Sequence, residues 1–128
     1  MKLRLLDDSI RLRLSRSEVA AAHERGVVES QTRFPDGSAF TYVLEASQSA
    51  KDASAVYARG RMVVKLPARE ISAWANDDEA VSLRGDVRLP DGAQLKLLVE
   101  KDFKCLSPRG GDEEDQSDLF QNRQSSTC

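Results

Sequence analysis

Two cysteines, one histidine and a set of basic residues interleaved with leucine are the side chains of this 128-residue chain that could do chemistry. Cys105 and Cys128 are candidate metal ligands, because soft thiolates with carboxylates nearby suit zinc or copper. Their separation of 23 (128 − 105) fits no short ligand pair, and no histidine lies between them. A complete tetrahedral site would draw on Asp or Glu, or on a second chain. The same thiols could instead form a reversible disulfide that pins the C-terminal segment, or stand idle. His23 follows Val19 by four residues, which places it beside the core face of a helix, near its C-terminal end. No nucleophile elbow, glycine-rich phosphate loop or histidine-glutamate zinc helix occurs, so an enzymatic role is not expected.

The basic residues form two sets. Lys2, Arg4, Arg11 and Arg13 alternate with leucine and should share the face opposite it. Arg61, Lys65, Arg84, Arg88 and Lys96 form an analogous set further along. Left unneutralised, such a face binds phosphate groups or nucleic acid. Alternating strands with charge outward are also the ordinary solvated face of an antiparallel sheet. The first set is expected to be exposed and paired with local carboxylates, without a dominant basic patch. Net charge is −2 and aromatic residues are scarce, so nucleic acid is not an expected partner.

The elements that must position these residues are legible from period and turns. Residues 2–14 alternate around Asp7-Asp8-Ser9, a β-hairpin. Ser15 and Glu18 form a capping box before Val19-Ala20-Ala21-Ala22, and Gly26 should stop the helix. Val27 to Phe34 and Ala39 to Glu45 read as strands joined at Pro35-Asp36-Gly37. The order then returns: strands around Arg59-Gly60, a helix opened by Pro67, and strands around Pro90-Asp91-Gly92. Leu14, Glu18 and Val19 match Leu66, Glu70 and Ile71 at an offset of 52 (66 − 14). These matches predict an α+β fold of internally duplicated ββαββ units, halves 2–45 and 54–100, with antiparallel sheets that stay open or close like a barrel, and two short helices. An anion-binding barrel of the triphosphate-tunnel kind would share the basic strands but needs alternating N-terminal glutamates, which are missing.

The domain should end at residue 104, leaving 105–128 as an acidic tail. That tail carries a breaker cluster at Ser107-Pro108-Arg109-Gly110-Gly111 and the run Asp112-Glu113-Glu114-Asp115. Leu119-Phe120 is expected to dock beside Phe103 and Cys105. The stretch Val99-Glu100-Lys101-Asp102-Phe103-Lys104-Cys105-Leu106, the opening hairpin, the proline-aspartate-glycine turns, the Phe120–Asn122 element and the final cysteine together resemble a small bacterial family of unknown function of about this length. The resemblance covers nearly the whole chain and implies no activity. Where that family has prolines around the asparagine, this chain has Gln121 and Arg123, which loosens the tail.

No apolar run is long enough to span a bilayer, and Lys2-Leu3-Arg4 interrupts any leader-like segment, so a cytoplasmic location and no membrane partner are expected. The principal expectation is a non-enzymatic binding or interaction protein for a protein or small-molecule partner. A metal- or thiol-dependent protein using Cys105 and Cys128 is the second reading, and a phosphate or nucleic-acid binder on the basic strand faces the third.

Overall fold

The computed structural model describes residues 1–103 and 117–121. Ten elements follow in order: β1 (Lys2–Leu5), β2 (Ser9–Leu14), α1 (Arg16–Glu24), β3 (Val27–Arg33), β4 (Ala39–Ser47), β5 (Ser54–Ala58), β6 (Arg61–Pro67), α2 (Ala68–Asn76), β7 (Ser82–Arg88) and β8 (Gln94–Lys101). Each hairpin forms where period and turn chemistry put it. Arg59 and Gly60 both have positive φ, at 52° and 75°. Two such residues make the tight turn whose twist matches a hairpin, and only the second lacks a Cβ to strain. The Ser15 hydroxyl accepts from the Glu18 N–H while the Glu18 carboxylate accepts from the Ser15 N–H, so the capping box closes as expected.

The pairing of hairpins corrects the expected fold class. The protein is mostly β and not a clear pair of ββαββ units, because neither half owns a sheet. The first sheet runs β1-β2-β8-β7 and the second β3-β4-β6-β5, each uniting strands from both halves. The sheets are mixed rather than antiparallel, since the central pairs β2–β8 and β4–β6 run parallel. Neither sheet closes into a barrel. The physical reason lies in range: hairpins are set by neighbours in sequence, whereas β2 and β8 pair across nearly the whole length of the domain, where no local signal fixes the partner.

The leucines that alternate with arginine in β2 point inward. Leu12 and Leu14 are buried with Val99, Leu44, Val64, Leu66, Ile71 and Trp74 in one core between the sheets and helices. Trp74 hides its ring there and donates its indole N–H to the Val81 carbonyl at 2.9 Å, leaving no polar cost. Phe40, Tyr42 and Leu95, on the alternating strands β4 and β8, are half-buried against it.

The 117–121 segment docks as the apolar pair predicted. Leu119 is buried, and the Phe120 ring packs on Phe103 with centroids 5.6 Å apart. Phe120 N–H donates to the Asp102 carbonyl at 2.9 Å. Asp118 accepts from the Ser17 N–H at 3.1 Å and from the Ser17 hydroxyl at the start of α1. These bonds hold its carboxyl below the usual range, with the Ser17 hydroxyl first among the causes.

Candidate anion-binding face

Alternation fixes which residues leave the first sheet outward: Lys2 and Arg4 on β1, Arg11 and Arg13 on β2, Lys96, Leu98 and Glu100 on β8, Arg84, Asp86 and Arg88 on β7. Strand register then orders them in rows. Arg4 stands opposite Arg11, Arg11 opposite Leu98, and Leu98 opposite Arg84. One row across four strands therefore carries three guanidiniums around a leucine, with strands about 4.8 Å apart.

The carboxylates on or beside this face, among the described residues, are Asp86, Glu100 and Asp102, and the last two are engaged. Glu100, whose side chain is 12% exposed, accepts from Arg11 and, at 3.1 Å, from Arg13. Asp102 holds Lys2 at 2.9 Å. One carboxylate between two guanidiniums leaves a positive charge over. Arg4, Arg84 and Lys96 make no ion pair among the described residues, and Asp86 stands in register with Lys96. The expected pairing is found for Lys2, Arg11 and Arg13, although the two arginines are half-buried and their carboxylate comes from the far strand β8, and it is not found for Arg4. The expectation of no dominant patch fails because β8 and β7 bring Arg84, Arg88 and Lys96 onto the same surface.

A depression of about 510 Å³ sits in this face, lined by Arg4, Arg11, Arg84, Lys96 and Asp86 with Leu6, Ile10, Leu97 and Leu98. A guanidinium fork matches an oxyanion bidentately, and several forks around one apolar floor hold such a group without competing water. Leu98 is the residue that sequence reasoning missed. Its signal was present, since it occupies a polar position in the alternation of β8, between Lys96 and Glu100.

Arg61 and Lys65 do not join this face. They lie on the second sheet, paired with Glu29 at 2.9 Å and Glu45 at 3.4 Å.

A second cavity of about 520 Å³ lies where α1 and α2 meet, with His23, Lys101, Phe103 and Phe120 in its wall. His23 Nδ1 is 3.0 Å from the Ser72 hydroxyl, and its Nε2 is 3.3 Å from Asn76 Nδ2. Asn76 Nδ2 also donates to the Ser72 carbonyl at 2.9 Å, so it is the donor to Nε2. Nδ1 then carries the proton and donates to Ser72, which rules His23 out as a base toward that hydroxyl. His23 ties the two helices together. Lys101 is buried, donates to the Asp77 carbonyl at 2.9 Å and lies over the Trp74 and Phe120 rings.

Cys105 and Cys128, the candidate zinc or copper ligands, lie outside the described residues, as does the acidic run at 112–115. Among the described residues no group of three His, Cys, Asp or Glu side chains is placed to hold a metal. No helix among them is long and apolar enough to cross a membrane.

Two open, mixed four-stranded sheets packed with two helices make a mostly β protein whose first sheet is basic on its outer face. By sequence the chain belongs to the Family of unknown function (DUF7009), whose match covers residues 1–124. No curated protein and no solved structure matches it.

Proposed function

We propose that this chain is a non-enzymatic binding protein that receives an anionic ligand on the outer face of its first sheet. The observation that carries the reading is the register row Arg4, Arg11, Leu98, Arg84 lying in a depression. Like charges directly opposite one another weaken a sheet, so placing Arg4 against Arg11 works against folding and is accounted for by a ligand that offsets it. A cytoplasmic setting is part of the same proposal, as is the ranking of nucleic acid below smaller anions.

The test is ligand-induced stabilisation of the full chain by a panel of anions, with pyrophosphate and citrate as probes. A ligand that binds only the folded state raises the melting temperature in proportion to its saturation. The rise is expected in the parent and in an Arg61→Ala, Lys65→Ala variant, and absent in Arg4→Ala, Arg84→Ala. Equal rises in both variants, or none in the parent, would remove the first sheet as the site.

A further inference from the structure

We infer, building on the anion-binding reading, that the depression recognises a small organic phosphomonoester in its dianionic form. Charge sets the first limit. Arg4, Arg11, Arg84 and Lys96 line the depression, while Asp86 is the carboxylate inside it and Glu100 the one behind Arg11. Glu100 is shared with Arg13, so five cations stand against two carboxylates and more than one positive charge is left, which the dianion that a phosphomonoester becomes above its second pKa of about 6 answers better than a monoanion does. A carboxylate or a sulfate ester, with a single charge, leaves more of that excess unanswered.

Size and polarity set the second limit. A volume of about 510 Å³ falls within the range that holds small molecules, roughly 300–1,000 Å³. Leu98, the one leucine that leaves the sheet on this face, and the exposed Leu6 give the depression an apolar side, which suits a ring or aliphatic body attached to the phosphate. Asp86 can only accept, so it favours a ligand with a hydroxyl or amine donor near the body.

The surroundings set the third limit. On the β1–β2 side the neighbouring cations are already held, Lys2 by Asp102 at 2.9 Å and Arg13 by Glu100 at 3.1 Å. Among the described residues no aromatic ring lines the depression, so nucleobases find no stacking platform there. A long polyanion would outrun the cations free to meet it, whereas a single phosphoryl group would not.

The experiment is calorimetric titration of the full chain with phenyl phosphate, phenyl sulfate and inorganic phosphate, from about pH 5 to about pH 8, spanning the second phosphate ionisation. The groups that face the bound phosphoryl are Arg4 from β1, Arg11 from β2, Lys96 from β8, and Arg84 and Asp86 from β7. Phenyl sulfate keeps one charge throughout and so reports any titration of the protein itself. Phenyl phosphate is expected to bind tightest and to tighten about tenfold between pH 5 and pH 7, as the dianion fills. Phenyl sulfate should stay weak and flat, and inorganic phosphate should be weaker than phenyl phosphate for want of the apolar contact. Arg84→Ala should weaken phenyl phosphate at least ~10-fold, consistent with loss of one charge-assisted fork, and Arg61→Ala should not. If Arg84→Ala weakens both phenyl esters equally and neither depends on pH, the dianion inference falls while the anion face stands. If Arg84→Ala changes nothing although its melting curve matches the parent, both fall.

Discussion

The middle rows of the two outer faces occupy the same place in their sheets and carry opposite chemistry. Across the first sheet the row reads Arg4, Arg11, Leu98, Arg84, and across the second it reads Val56, Val63, Val43, Glu29. Strand order, parallel centre and hairpin flanks are alike, so backbone geometry does not explain the difference. The second sheet is built as a solvated face normally is, with Arg61 on Glu29, Lys65 on Glu45 and Val43 sunk among its neighbours. The first sheet gathers charge that it does not neutralise within the described residues. What separates scaffold from site here is unanswered charge rather than fold.

The largest expected effect comes from the carboxylate that makes the basic row tolerable. Glu100→Gln keeps an acceptor oxygen but removes the negative charge that Arg11 and Arg13 share in a half-buried setting, and should cost about 2 kcal/mol. On the second sheet, Glu45→Gln removes an exposed pair and should cost below about 0.5 kcal/mol. Urea unfolding of both variants checks the contrast, and equal losses would erase it.

A steric test of where the two sheets meet comes next. A Cβ at Gly85 on β7 would sit 2.7 Å from the Ala53 Cβ, just ahead of β5 in the other sheet. Gly85→Val should therefore destabilise by about 1–3 kcal/mol through overpacking. A neutral result in the same unfolding measurement would mean that the sheets are further apart at that corner.

A smaller effect has the opposite sign. Arg4→Thr relieves the repulsion from Arg11 and should raise stability by up to about 0.5 kcal/mol while lowering anion affinity. Val56→Thr at the matching edge of the second sheet should change neither. Melting curves with and without pyrophosphate separate the two quantities.

Much of this architecture was legible in the sequence, and the missing part has one cause. Alternation in β1 and β2, the Ser15–Glu18 box and the Arg59-Gly60 turn are local signals, and each element stands where they put it. The pairing of β2 with β8 leaves no local trace, and the expectation of duplicated ββαββ units with antiparallel sheets failed on that pairing. The same gap split the site: Arg4 and Arg11 were read as one face and Arg84 and Lys96 as another, until register joined them across Leu98.

The smallest expected effect concerns the docked 117–121 segment. Asp118 has its folded pKa lowered, chiefly by the Ser17 hydroxyl, so its contribution is complete above the usual value of 3.8 and is lost as pH falls through the lowered one. Docking should thus be insensitive to pH near neutrality, while Asp118→Asn should speed hydrogen exchange at Leu119 and Phe120. Both sheets should exchange as in the parent. Faster exchange across the first sheet as well would show that the docked segment supports it.

The most direct measurement of the central claim is a backbone-amide chemical-shift map of the full chain titrated with phenyl phosphate. The account predicts saturable shifts confined to the first sheet and strongest at Arg4, Arg11, Arg84 and Leu98, with β3 to β6 unmoved. Shifts centred on Val43 and Val63, or on the cavity beside His23 and Lys101, would contradict it.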